Sequence, residues 1–128
     1  MNQISNISEQ IWPNLQLSDE ATNTIREFTH SFRDKLFSTS PNEVEHFLRT
    51  ALPDSYKKNI INLYKKYERL HAKDPEVKEP RDVVMEYIIS DIIEGAGNLA
   101  HTRNDTIIKA DDVVITVETY NPLSELLL

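Results

Sequence analysis

The chain contains no cysteine, which excludes a disulfide framework and a thiolate zinc site. It has only two glycines among 128 residues, and this scarcity, beside frequent Ala, Leu, Ile, Glu and Lys, favours an all-α protein. The amino-terminal residues MNQISNISEQIW lack a basic flank and an apolar run of signal length, so we expect that the protein is not secreted. No stretch approaches the ~20 apolar residues that cross a bilayer, and we therefore expect no membrane partner.

The chain also has few basic residues for a protein that would bind nucleic acid by itself. Its net charge is −7, which argues against a free-standing nucleic-acid binder. Residues 1–72 carry nine Lys and Arg and nine Asp and Glu, whereas residues 73–128 carry five and twelve. A solvated acidic surface is the usual explanation for such a bias, and a docking face for a basic partner is the alternative.

The most regular stretch is residues 82–100, DVVMEYIISDIIEGAGNLA. Its apolar residues recur every three or four positions, which predicts a helix with a buried face. Gly95 and Gly97 each cost roughly 1 kcal/mol relative to alanine inside a helix. We therefore expect another backbone to come close to this helix at the two glycines.

The remaining periodicity predicts a series of shorter elements. Ile4, Ile7 and Ile11 indicate a short helix that ends at Pro13. Ser18 is a good N-cap for a long helix to about residue 37. Further helices are predicted at 43–52, 54–71 and 109–118, with an extended piece at 106–108 and a last turn at 123–127. The charged segment AKDPEVKEPR, residues 72–81, reads as a linker with two prolines.

No arrangement of residues typical of catalysis is present. The four histidines form no HExxH motif, and no glycine-rich phosphate loop occurs. Acidic pairs such as Asp111 and Asp112 are better explained by helix capping than by acid–base chemistry. We therefore predict a non-enzyme with no cofactor, no metal site and no small-molecule substrate.

One basic stripe is predicted on the helix at 54–71. Its members are Lys57, Lys58, Lys65, Lys66 and Arg69. A solvated helix face is the first interpretation of such a stripe. The functional alternative is contact with DNA phosphate or with an acidic partner.

The residue pattern of the second half resembles that of histone two-A. That family carries an EY…E..E.AGN.A pattern in its central helix, followed by a TRII-type loop segment and a short helix. The matching residues are Glu86, Tyr87, Asp91, Glu94, Ala96, Gly97, Asn98, Ala100, Thr106, Ile107 and Ile108. The match runs from about Asp82 to Leu127, with a one-residue gap in the loop. The loop arginine of the family is absent, since Thr106 is followed directly by Ile107.

The first half resembles histone two-B, less closely. Ile7, Ile11, Pro13, Leu17, Ser18 and Ala21 match the family pattern across its first loop, and EVEHFLRTALP at residues 43–53 matches the segment before its last helix. Roughly ten residues that would finish the family's long helix are missing between Phe37 and Glu43. The second half likewise lacks the short helix that precedes the long helix in the family.

Together the two halves resemble a miniature form of the histone doublets of giant DNA viruses of the Marseillevirus group. The resemblance implies two histone-fold halves packed as an intramolecular handshake pseudodimer. Residues 1–72 would form the two-B-like half, 73–81 the charged linker and 82–128 the two-A-like half. The resemblance further implies location in a viral factory or host nucleus and in the virion.

The function implied is that of a nucleosome core component that packages viral DNA with a histone three/four-type partner, itself expected to be a doublet. We expect DNA contacts within such a particle from Arg49, Arg103, Lys109, Thr106, Ser18, Lys57 and Lys58. We expect an acidic patch for basic peptides at Glu86, Asp91, Glu94 and Glu43. The alternative is a histone-fold interaction protein, a transcription cofactor or histone decoy, that has little contact with DNA.

Overall fold

A computed structural model describes residues 3–128 of the chain. Within that range, the helices are α1 (Gln3–Ile11), α2 (Asp19–Ser38), α3 (Val44–Ala51), α4 (Asp54–Lys73), α5 (Pro80–Thr102), α6 (Ala110–Thr119) and α7 (Asn121–Leu127). Two very short strands, β1 (Gln16–Leu17) and β2 (Ile107–Ile108), and a 3-10 turn at Pro41–Glu43 complete the order. The predicted all-α class is confirmed. None of the described helices is both long and apolar enough to cross a membrane.

Local side-chain chemistry accounts for where the two long helices begin. The Ser18 hydroxyl accepts a hydrogen bond from the backbone N–H of Ala21 at 3.0 Å and caps α2. Helix α5 begins at Pro80, two residues before the predicted start, because proline tolerates the first helical position. The Glu79 carboxylate accepts from the Arg81 N–H at 3.1 Å and caps that end.

Helix α5 lies at the centre of the molecule. It packs against α1, α2, α4 and α6, so it is buried on more than one side. Ile88, Ile92 and Ile93 are fully inaccessible to solvent. This burial explains why α5 is apolar around most of its circumference rather than along one stripe.

The hydrophobic core is a single cluster that takes side chains from both sequence halves, among them Ile25, Leu48, Ile92 and Val113. Helix α1 packs on α5, and α6 packs on both α2 and α5. Elements of the first half therefore pack directly on elements of the second half. One core of this kind lets short helices bury apolar faces that they could not cover alone.

The two glycines of α5 admit side chains from other elements, which corrects the expectation that another backbone approaches there. A Cβ atom at Gly97 would lie 2.0 Å from Nε1 of Trp12, in the segment between α1 and β1. A Cβ atom at Gly95 would lie 2.5 Å from Cγ2 of Thr116 in α6. Absence of a side chain at these positions is therefore a packing requirement, because the space is already filled.

Two further elements differ from the sequence expectation in extent. The last turn predicted at 123–127 is the seven-residue helix α7, in which Pro122 occupies the first turn and Leu123 is buried. The connection between α4 and α5 is limited to residues 74–79. Its middle is held by a hydrogen bond of 2.6 Å between Nδ1 of His71 and the carbonyl oxygen of Val77.

Candidate functional site

The two strands bring distant loops together at one end of the molecule. They pair in parallel, with Gln16 opposite Ile107 and Leu17 opposite Ile108. The N–H of Ser18 extends the ladder by donating to the carbonyl oxygen of Ile108 at 3.1 Å. Because each strand directly precedes a helix, the first turns of α2 and α6 lie side by side. We call this region, with residues 103–109, the strand-pair end.

Three of the predicted DNA-contact residues belong to the strand-pair end besides Ser18. Arg103, Thr106 and Lys109 are all exposed there. The Thr106 carbonyl oxygen accepts from the N–H of Gln16 at 2.8 Å. The hydroxyl of Ser18 already accepts the capping hydrogen bond of α2. A ligand at this end would therefore meet a hydroxyl that is already hydrogen-bonded.

Arg103 is held by two carboxylates of its own chain. Its Nη2 donates to Oδ2 of Asp112 at 3.0 Å and to Oδ2 of Asp105 at 3.3 Å, and its Nη1 donates to Oδ1 of Asp112. The bond to Asp112 raises the pKa of the guanidinium above its usual value. Asp112 is only 1% exposed. The pair therefore works as a bidentate clamp between the end of α5 and the start of α6.

Asp112 also closes the first turn of α6, since its Oδ2 accepts from the N–H of Lys109 at 2.9 Å. Burial alone would raise the pKa of Asp112, but the hydrogen bonds from Arg103 and from the Lys109 N–H outweigh it and hold that pKa below its usual value. The carboxylate is thus stabilised in its charged form, as an anion at a helix N-terminus should be.

The second cation of this end, Lys109, is also paired. Its Nζ lies 3.3 Å from Oδ2 of Asp105. The N–H of Ile107 donates to Asp105 at 3.2 Å and, with Lys109, lowers the pKa of that carboxyl. The acidic residues of this end are Asp105 and those in the first turns of the two helices, Asp19, Glu20, Asp111 and Asp112. The strand-pair end therefore offers helix N-termini without a surplus of positive charge.

Replacing Asp112 with Asn should destabilise the protein by about 2 kcal/mol near neutral pH, since it removes the clamp and weakens the cap. A depressed folded pKa contributes stability above the unfolded value of about 3.9, and that contribution is lost as pH falls through the folded pKa. The difference between variant and parent should therefore shrink in acid. Urea unfolding at neutral pH and in acid measures it.

The matched control is Asp111→Asn, which changes the same charge in the same helical turn. Asp111 is exposed, so its replacement should cost less than about 1 kcal/mol. Equal urea midpoints for the Asp112 variant and the parent at neutral pH would contradict the clamp.

The other predicted DNA-contact residues lie on α3 and α4 and do not belong to the strand-pair end. Arg49 on α3 binds Oε2 of Glu45 at 2.9 Å. Lys57 on α4 binds Asp54 at 3.0 Å. Lys58 is exposed on the same helix. The predicted contacts therefore fall into two groups, one at the strand-pair end and one on the α3–α4 pair.

A groove between α5 and α6 contains two of the four predicted acidic-patch residues. Its volume is about 450 Å³. We call it the acidic groove, and it is lined by Asp91, Glu94, Gly95, Asn98, Leu99, Thr102, Thr116, Thr119 and Tyr120. Carboxylates beside the exposed ring of Tyr120 suit a basic side chain with an apolar stem.

A tyrosine from another helix donates a hydrogen bond to one carboxylate of this groove. The Tyr56 hydroxyl of α4 donates to Oδ2 of Asp91 at 2.8 Å, and the rings of Tyr56 and Tyr87 meet edge to face at 5.8 Å. Burial raises the pKa of Asp91, the bond from Tyr56 partly lowers it, and the charge of Glu94 raises it further. Asp91 therefore takes up its proton at a higher pH than an ordinary aspartate does, and the groove then loses part of its negative charge.

The other two predicted patch residues lie elsewhere. Glu86 binds Nζ of Lys78 at 3.0 Å and lines a separate groove beside Gln3 and Asn6 of α1. Glu43 is exposed in the 3-10 turn before α3. The structure thus brings Asp91 and Glu94 together and leaves Glu86 and Glu43 apart from them.

Sequence reasoning did not assign Tyr56 or Tyr120 to a site. No spacing could link Tyr56 to Asp91, because they lie on different helices. Tyr120 is 47% exposed, as one of few large apolar residues at the surface of the described chain. Its place before Asn121-Pro122, which breaks the helix, was the only sequence signal, because residues at such a break often lie at the surface.

Replacing Asp91 with Asn should raise stability near neutral pH by roughly 0.5 to 1 kcal/mol, the lower part of the range for single stabilising substitutions. The amide oxygen can still accept from Tyr56, while the cost of burying a charge disappears. Because the folded pKa is raised, that cost is fully present above the folded pKa and disappears as pH falls to the unfolded value, about 3.9, so the gain should fade in acid. Urea unfolding across this pH range measures the effect. Glu94→Gln, at an exposed position, is the control and should change stability less; a destabilised Asp91 variant would contradict the assignment.

Among residues 3–128, no group of three or more His, Cys, Asp or Glu side chains is placed to hold a metal ion. The chain matches no model of a known protein family, and no curated protein is significantly similar to it.

Proposed function

We propose that this chain is a histone-type structural chromatin protein in which residues 1–72 and 82–128 form an intramolecular handshake pseudodimer. It would join a histone three/four-type partner and package DNA with it. The observation that carries the proposal is the parallel pairing of Gln16 and Leu17 with Ile107 and Ile108. This pairing ties the first loop of one half to the second loop of the other.

The packing between the halves supports the same proposal. Helix α1 of the first half packs on α5 of the second, and α6 of the second half packs on α2 of the first. Fully buried residues on both sides, such as Ile25 and Val113, belong to one cluster. Two halves that exchange packing surfaces in this way are what a handshake requires, because each long helix is covered in part by elements of the other half.

The strand-pair end is the part of the molecule that we propose to meet DNA. Paired helix N-termini can hold phosphate through backbone N–H groups and the helix dipole. Histone octamers use such contacts, with arginines in the minor groove, without reading bases. In this chain Arg103 and Lys109 are engaged by Asp105 and Asp112. The contacts would therefore be weak singly and useful only when a basic partner already holds the DNA.

The acidic groove is the part that we propose to take a basic peptide. Asp91 and Glu94 line it together with Tyr120. A Lys or Arg side chain could place its charge on the carboxylates and its stem on the ring. The isolated pair Glu86–Lys78 would contribute little, since its charge is already compensated.

The decisive experiment mixes the chain with a histone three/four-type doublet and duplex DNA and then digests the mixture with a nuclease. We expect a protected particle that contains the chain, and negligible duplex binding by the chain alone near physiological salt, because its net charge is −7. Lys109→Ala should loosen the protected DNA, whereas Lys35→Ala on the exposed face of α2 serves as the control. Tight binding of duplex by the isolated chain, or exclusion from the particle, would refute the proposal.

A second candidate is a histone-fold interaction protein, a transcription cofactor or histone decoy with little contact with DNA. The engagement of Arg103 and Lys109 by their own chain favours it. So do the exposed carboxylates of Asp19, Glu20 and Asp111 in the first turns of α2 and α6. The same reconstitution separates the two functions, since a decoy would bind the partner and release it from DNA.

A further inference from the structure

One face of α4 carries positive charge that no acidic side chain neutralises. Lys58, Lys66, Arg69 and Lys73 are exposed and follow the helical repeat, with exposed Asn62 between the first two. We call the four cations the cationic face. Within residues 3–128, the ion pairs of α4 involve Lys57 with Asp54 and Lys65 with Glu45, and none involves the cationic face. Lys57 and Lys65 are therefore in ion pairs, whereas the residues of the cationic face are not.

An apolar side chain adjoins this face. Leu70 is 40% exposed, which is unusual for a leucine in this molecule. It lies four residues after Lys66 and three before Lys73, so the three side chains are neighbours on the helix surface. The Nζ of Lys66 also lies 5.8 Å from the ring centroid of Tyr67. The surface thus combines separated positive charges with one exposed apolar side chain, that of Leu70.

We propose that the cationic face of α4, with Leu70, is a docking site for an acidic peptide segment that bears an apolar residue. The face runs for about 22 Å, the length of fifteen helical steps. An extended peptide of roughly seven residues covers that distance. Each Asp or Glu could then meet one cation, and the apolar residue could cover Leu70.

The charge around the face favours a peptide over duplex DNA. The whole chain carries −7 and the cationic face contributes four positive charges, so the remainder carries −11. Asp54, Glu68, Asp74 and Glu76 are exposed beside the face or at its ends. A rigid duplex would bring its phosphates within the Debye length, about 8 Å, of these carboxylates. A flexible peptide is narrow enough to contact the cations of this face without approaching those carboxylates.

The first test measures the affinity of a labelled oligoglutamate of about ten residues by fluorescence anisotropy at about 0.15 M salt, where the Debye length is about 8 Å. We expect a triple variant of the cationic face to bind it about tenfold more weakly, from the usual strength of exposed ion pairs. The variant is Lys58→Gln, Lys66→Gln and Lys73→Gln.

The control removes the same charge from the exposed face of α2. It consists of Arg26→Gln, Arg33→Gln and Lys35→Gln. We expect it to change the affinity less than about twofold, because screening confines each contact to its neighbourhood. An equal loss in both variants would mean that only net charge matters and would overturn the proposal. The proposal would also be overturned if a DNA duplex of equal charge bound more tightly than oligoglutamate and lost that binding in the α4 variant.

The second test asks whether Leu70 takes part. A peptide of glutamates with one central phenylalanine should bind more tightly than oligoglutamate alone, because it buries apolar area against Leu70. Leu70→Gln should abolish that gain and leave the binding of oligoglutamate unchanged. If Leu70→Gln left the gain intact, the apolar contact would not exist. Since Leu70 is 40% exposed and lies outside the buried core, we expect the variant to keep the fold, which circular dichroism checks.

Discussion

Replacing Ile92 with Asp is expected to unfold both halves of the chain together. Ile92 is fully buried in α5, within the one core cluster. An unpaired carboxylate there would cost several kcal/mol, which is comparable to the whole stability of an ordinary domain, about 5–15 kcal/mol. Because α5 packs on α1, α2, α4 and α6, helices of both halves depend on it.

Two probes measure this cooperativity. Amide hydrogen exchange in α2 reports the first half and exchange in α6 reports the second, while fluorescence of Trp12, which donates to the carbonyl oxygen of Ile93 in α5, reports the contact between them. The control is Asn98→Asp, which adds the same charge at an exposed position of the same helix and should change stability by less than about 1 kcal/mol. If the Ile92 variant lost protection in one half while the other kept its native signal, the halves would not share a cooperative core.

Replacing Gly97 with Ala is expected to destabilise the protein by about 3 kcal/mol, from overpacking of a filled site. Helix propensity alone would give the opposite sign, a gain of about 1 kcal/mol. Overpacking prevails because the new Cβ would lie 2.0 Å from Nε1 and 2.3 Å from Cε2 of Trp12. That ring cannot move aside without losing its hydrogen bond of 3.0 Å to the carbonyl oxygen of Ile93.

A double-mutant cycle tests the cause directly. In a Trp12→Ala background the space beside Gly97 is empty, so Gly97→Ala should be nearly neutral or stabilising there. Thermal or urea unfolding of the four proteins gives the coupling free energy between the two positions. An equal loss in both backgrounds would show that Trp12 is not what requires glycine at this position.

Helix positions could be predicted because their causes are local. The apolar repeat that includes Ile88 and Ile92 describes one helix, and Ser18 and Pro13 mark ends through their own backbone chemistry. The extended piece at 106–108 was predicted and is found as β2 at Ile107–Ile108. Glu86, Asp91 and Glu94 of α5 were expected in one acidic patch. Asp91 and Glu94 line one groove, because residues three apart on a helix are neighbours, whereas Glu86 lines another.

The sequence by itself therefore determined the helical class, the order of the elements and the acidic balance, since these depend on composition and on residues close in the chain. Only the tertiary structure decided that β1 pairs with β2, that Asp112 holds Arg103, and that Tyr56 bonds Asp91. Each of these contacts joins different elements, and the choice of partner depends on how the helices pack on α5. Sequence periodicity carries no information about which polar groups the packing of the helices brings together. That packing nevertheless sets the charge of every candidate site.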